Sequence, residues 1–143
     1  MRRTLLVALL AVCILTPLSG QTPRETPPSE WRQFRGNSQL TGIAAVAPPS
    51  TLKVIWSVQV GDVVESSPAV AGGVAYVGVG NGDLVALELA TGKVRWKYST
   101  KNLIGESSPA VGTEAVYIGD LDGIVHAVDL RDGKPIWTFK TGA

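Results

Sequence analysis

The sequence predicts an all-β fold made of four-stranded antiparallel sheets, one to each copy of an internal repeat. Three observations carry this. Glu65–Trp96 and Glu106–Trp137 align without a gap at an offset of 41, with 14 of 32 positions identical. Each copy breaks into short β-prone runs separated by glycine-containing turn pairs. Tryptophan recurs at positions 56, 96 and 137, each opening a similar run: Trp-Ser-Val-Gln-Val, Trp-Lys-Tyr-Ser-Thr and Trp-Thr-Phe-Lys-Thr.

Met1-Arg2-Arg3 is a basic start, and Leu5 to Leu15 runs apolar without a charge. Pro17, Ser19 and Gly20 then precede a polar stretch. This is the layout of a secretory signal over residues 1–20, cleaved after Ser19 or Gly20. The run falls short of the roughly 20 residues that span a bilayer, so no stable membrane span is expected. Cys13 lies inside it, behind bulky Val12, where lipidation would need a small residue. Residues 21–53 read as a Pro-rich lead-in and connector, with Trp31-Arg32-Gln33-Phe34-Arg35-Gly36 set in the middle.

Residues 54–141 hold the repeats. In the first copy, Val74–Val77 is a β-prone run and Asn81-Gly82 a tight-hairpin pair, since such pairs tolerate positive φ at both central turn positions. Leu84 to Leu89 follows as a strand, Thr91-Gly92 turns, and Val94–Ser99 closes the unit around Trp96. The second copy repeats this with Ala115–Ile118, Asp122-Gly123, Ile124 to Leu130, Asp132-Gly133 and Ile136–Lys140. The two units run over about 65–100 and 106–141.

A period near 40 also fits helical arrays, but four strands and their turns leave no room for two helices. Leu84-Val85-Ala86-Leu87 is continuously apolar, as in a sheet buried on both faces by stacked neighbours. Pro68 and Pro109 open the first strand of each copy; proline lacks a ladder donor and belongs on an edge. These features define blades of a β-propeller, each with its first strand innermost.

Ala86-x-Glu88-x-x-Thr91-Gly92-x-x-x-Trp96 and Ala127-x-Asp129-x-x-Asp132-Gly133-x-x-x-Trp137 resemble the tryptophan-docking motif of quinoprotein-type (PQQ-like, BamB-like) propellers. The family pattern is Ala-x-Asp-x-x-Thr-Gly-x-x-x-Trp; the copies depart from it at Glu88 and at Asp132. The resemblance covers residues 56–141, and Trp31–Gly36 looks like the start of exported proteins of this type. It implies that these residues lock neighbouring blades together. It also implies one of three roles: a dehydrogenase using pyrroloquinoline quinone (PQQ), an outer-membrane assembly scaffold, or an extracytoplasmic sensor. Many such dehydrogenases carry an adjacent-cysteine disulfide, a calcium site and a catalytic Asp. With the signal removed, this chain has no cysteine, and no Asp maps onto that catalytic position.

Other candidate chemistry reads as structure. Gly78-Val79-Gly80-Asn81-Gly82-Asp83 lacks the third glycine of a nucleotide loop, and no helix follows. Asp120-x-Asp122-Gly123 opens like a calcium loop, but position 12 is Arg131. Glu65 and Glu106 occupy equivalent repeat positions, which favours a shared role at the strand entry over acid–base work. His126 is the one histidine, in mid-strand where the first copy has Val85, and metal ligands are few.

The 143 residues carry 13 basic and 12 acidic groups, a net charge of +1. With 17% charged residues and one Cys, a disulfide scaffold, a zinc cluster, a charged disordered tail and a basic nucleic-acid binder are excluded. Losing Arg2 and Arg3 leaves 11 basic against 12 acidic residues, pointing to no polyanionic partner. A propeller closes with about 4–8 blades, so two blades plus the Trp56 strand of a closing blade form an incomplete ring. The expectation is the amino-terminal part of a longer propeller, with self-association as the alternative. An exported, non-catalytic scaffold or binding module is the leading reading. It binds no nucleic acid and needs no cofactor; PQQ with calcium belongs to the dehydrogenase alternative.

Overall fold

The computed structural model describes residues 30–142. The expected signal, Cys13 and the first part of the lead-in lie outside the described residues. Eight strands form two sheets. The first holds β1 (Ala69–Ala71), β2 (Val74–Gly78), β3 (Asp83–Glu88) and β4 (Val94–Ser99). The second holds β5 (Ala110–Val111), β6 (Ala115–Gly119), β7 (Ile124–Asp129) and β8 (Pro135–Lys140). Every pairing is antiparallel between sequence neighbours. There is no helix among the described residues.

Turn chemistry explains the order. Gly72 and Gly73, at φ +57° and +73°, make the two-residue link from β1 to β2. The Asn81-Gly82 hairpin forms, in a loop that runs from Gly78 to Asp83. Gly82 alone has positive φ, its amide bonds the Val79 carbonyl at 2.9 Å, and the Val79 amide bonds the Asp83 carbonyl at 2.8 Å. Asp122-Gly123 does likewise, with Gly123 N–H on the Asp120 carbonyl at 3.1 Å. One left-handed residue suffices because the loop is longer than a two-residue link and the glycine ends a tight turn. Gly82 is also irreplaceable on space: a Cβ there would lie 2.1 Å from the Asn102 carbonyl oxygen.

The sheets stack. Ala69, Tyr76, Leu84, Ala86 and Trp96 on one face of the first sheet pack with Val111, Val116, Ile118 and Val128 of the second. The opposite face of the first sheet holds Ala75, Val85 and Leu87, covered by Val60 and Trp56. Burial on both faces is why Leu84, Val85, Ala86 and Leu87, all at most 3% exposed, do not alternate. The outer face of the second sheet is bare, with Ile136, Trp137 and Phe139 exposed.

Around Trp56 the expected closing-blade strand is absent as a ladder: residues 52–60 take no strand partner. Its sheet neighbours would be strands that precede it in a blade, and no described residues supply them. The Trp56 side chain nevertheless docks.

The N-terminal part of the described chain ties the two blades together. Trp31 exchanges two 2.7 Å backbone hydrogen bonds with Val70 on the edge of β1. The Val111 amide, on the edge of β5, donates to the Arg32 carbonyl at 2.7 Å. Both innermost strands thus have their bare edges paired by adjacent residues of one strap.

Candidate functional site

Each docking motif is a β3–β4 or β7–β8 turn that receives a tryptophan from the preceding unit. Gly92 N–H bonds the Glu88 carbonyl at 2.8 Å, and Gly133 N–H the Asp129 carbonyl at 3.0 Å; both glycines are left-handed, at φ +73° and +72°. Thr91 Oγ1 accepts from the Lys93 amide at 3.2 Å; Asp132 Oδ1 accepts from the Lys134 amide at 3.1 Å. The Thr-to-Asp departure therefore preserves the acceptor. Glu88 accepts from the Thr91 hydroxyl at 2.9 Å, while the shorter Asp129 caps the Arg131 amide at 2.8 Å and pairs with its guanidinium.

The tryptophans cross from one unit to the next. Trp56 Nε1 donates to the Leu89 carbonyl at 2.9 Å, and a Cβ on Gly92 would lie 2.7 Å from its ring. Trp96 Nε1 donates to the Leu130 carbonyl at 3.1 Å, with the same 2.7 Å approach at Gly133. Ala86 and Ala127 face Trp96 and Trp137 across their own strand pairs, leaving room for the indole. Trp137 presents the same feature to solvent, 46% exposed.

A second constellation crosses the same seam. His126, 3% exposed on β7, is within 3.1 Å of Asp120 Oδ2 through Nε2 and 3.0 Å of the Tyr98 hydroxyl through Nδ1. Asn102 donates to Asp120 Oδ2 at 2.7 Å, and the Ile124 amide to Oδ1 at 2.8 Å. An ionised Asp120 only accepts, so Nε2 donates to it; in the neutral ring Nδ1 then accepts from the Tyr98 hydroxyl. Burial pulls the Asp120 carboxyl upward, but hydrogen bonds from Asn102, Ile124 N–H and His126 outweigh it and hold the group below its ordinary range. Burial, then the Asp120 charge, push the Tyr98 phenol upward, keeping it a donor. The calcium-loop resemblance ends here: the Asp120 carboxylate already caps its own turn. Among the described residues no group of three or more His, Cys, Asp or Glu is arranged to hold a metal.

Glu65 and Glu106 open into one cleft of about 680 Å³ with Ser67, Ser108 and Phe34. The first serine of each Ser-Ser pair turns inward: Ser66 Oγ bonds Gly78, and Ser107 Oγ bonds Gly119. The second serines meet across the seam, with the Ser67 amide donating to Ser108 Oγ at 2.9 Å. The repeat thus brings two carboxylates and two serines to one mouth, where an aromatic ring joins them. Phe34 comes from the strap, and nothing in the repeat pattern marks it.

Stacked four-stranded blades, pinned at the rim by tryptophan on glycine, define a propeller-type repeat protein of the quinoprotein kind. The chain belongs to the family described as outer membrane protein assembly factor BamB, whose model matches residues 39–143. Among solved structures, BamB from Moraxella catarrhalis is 22% identical with a TM-score of 0.57, covering 64% of this chain and 28% of its own. Quinohemoprotein alcohol dehydrogenase from Comamonas testosteroni is 22% identical with a TM-score of 0.68, covering 78% and 19%. A europium-containing methanol dehydrogenase is 21% identical with a TM-score of 0.70, covering 80% and 23%. The chain therefore spans less than a third of each of these proteins. Comparison with curated proteins gives no match.

Proposed function

We propose that the chain is part of an exported, non-catalytic propeller scaffold that binds protein or ligand through the loops at the ends of its blades. The observation that carries this is the Tyr98–His126–Asp120 network. The one histidine, with Asp120 on its own blade and Tyr98 on the other, is engaged in joining one blade to the next. The docking tryptophans serve the same joint. What faces outward is a cleft of carboxylates, serines and an aromatic ring, a surface suited to binding. The basic start, apolar run and small residues of positions 1–20 support export, to the periplasm or beyond.

A quinoprotein dehydrogenase is the second reading, raised by two dehydrogenases that superpose with TM-scores of 0.68 and 0.70, against 0.57 for BamB. At 21–22% identity these values speak to blade geometry alone. An extracytoplasmic sensor is the third. Titrating the protein purified from its source cells with PQQ and calcium, followed by visible absorbance, separates the dehydrogenase from the other two. No saturable quinone spectrum is expected. A bound quinone that reduces dye with an alcohol overturns the scaffold reading.

A further inference from the structure

Between the two blades, at the end of β1 opposite the Glu65 cleft, lies a second cleft of about 310 Å³. Its walls include Tyr76, Arg32, Arg95, Arg131 and Glu30. Tyr76 is only 3% exposed, and its ring is fixed 5.8 Å from that of Trp96. Its hydroxyl makes no hydrogen bond to any described residue. The group is buried in its body, unpartnered at its tip, and borders the cleft.

Arg95 reaches the same place through a bulge. Ala86 pairs with Trp96 and Leu87 with Val94, so Arg95 is the extra residue of β4. A bulge re-aims its side chain. Arg32 is paired with Glu30 at 2.7 Å, and Arg131 with Asp129 at 2.6 Å. Arg95 has neither an ion pair nor a hydrogen bond among the described residues. The wall thus keeps one uncommitted guanidinium. The second repeat has the same bulge but places Ile136 there, so the fold does not require the charge. Burial pushes the Tyr76 phenol up, with Arg95 and Arg32 pulling against it, so it remains an O–H donor at neutral pH.

We propose that this cleft is a binding site for a single carboxylate, held by the Arg95 guanidinium and the Tyr76 hydroxyl. A guanidinium fork matches the two oxygens of a carboxylate, and the phenol supplies a third donor from the side. The volume suits an amino-acid-sized acid or one acidic side chain or terminus of a peptide. The site does not depend on the scaffold reading, because its residues take no part in the Tyr98–His126–Asp120 joint or the Glu65 cleft.

The test is an NMR titration of the full ¹⁵N-labelled chain, following the Arg95 Nε–Hε signal. The probes are propionate, an acetylated dipeptide with a free C-terminal carboxylate, and the same dipeptide amidated. Saturable shifts are expected with the first two, at a dissociation constant on the order of 1 mM for propionate, and none with the amide. Arg95→Gln should weaken binding about tenfold or more, and Tyr76→Phe by a smaller factor. Both variants keep the fold, since Arg95 is exposed and Phe keeps the ring against Trp96. Tighter binding of the peptide than of propionate assigns the carboxylate to a protein segment; equal binding assigns it to a small acid. Linear, unsaturated shifts, or equal affinity in Arg95→Gln, overturn the proposal.

Discussion

Trp96 and Trp137 occupy equivalent positions and differ only in having a neighbour to dock on. Trp96 is 8% exposed, bonds the Leu130 carbonyl and lies against Gly133; Trp137 is 46% exposed. Trp96→Ala should therefore cost about 3–5 kcal/mol, the range for emptying a buried aromatic site. Trp137→Ala should cost under about 1 kcal/mol. Urea unfolding of the two variants checks this, and equal losses would show that docking is not what holds the blades. Asp129 carries a second residue-scale expectation. The hydrogen bond from Arg131 pulls its carboxyl to about 2 from 3.8. A carboxylate depressed in the folded state stabilises fully above its unfolded value. That contribution fades as pH falls from near 3.8 toward 2. Carboxyl ¹³C titration should place Asp129 near 2, and Arg131→Ala should return it toward 3.8.

At the scale of elements, the strap and the bulges decide what the blades present. β1 and β5 have only three and two residues, and each would have a bare edge without Trp31 and Arg32. The Val70 and Val111 amides should exchange with solvent as slowly as interior sheet amides. A chain lacking residues 1–42 should exchange both faster by about tenfold or more, with β2–β3 amides unchanged. Hydrogen exchange read by NMR decides it; unaltered Val70 and Val111 rates would mean the strap rests on the edges without closing them. The four-strand plan of each repeat was legible in the sequence because Asn81-Gly82, Thr91-Gly92, Asp122-Gly123 and Asp132-Gly133 mark turns, and the runs between them are too short for helices; the Gly72-Gly73 link was not among the turns read. The tryptophan motif was legible as a device, but not the direction of its docking. Trp96 seats on Gly133, not Gly92, and only the stacking of blades reveals that. The strap was not legible, since its bonds are backbone to backbone and carry no residue signature. Nor was the His126 network, whose Tyr98 partner lies 28 residues away on the other blade.

At the scale of the molecule, the two blades are unequal because one is sandwiched and the other is not. Val60 and Trp56 cover the outer face of the first blade. The second blade ends in β8, exposed at every position, with Ile136 at 51%, Trp137 at 46% and Phe139 at 62%. Two sheets close no ring, so this face meets water wherever no further blade or partner covers it. Contiguous apolar surface beside a strand edge drives association. The 143-residue chain alone should therefore self-associate with rising concentration, as read by sedimentation velocity. Ile136→Lys with Phe139→Lys places two charges on that face and should shift the sample toward monomer. The same substitutions should leave stability nearly unchanged, because both side chains already face solvent. A concentration-independent monomer in the parent chain would mean that the bare face is tolerated in water. Association unaltered by the two lysines would place the contact elsewhere, with the edge of β8 the next surface to block.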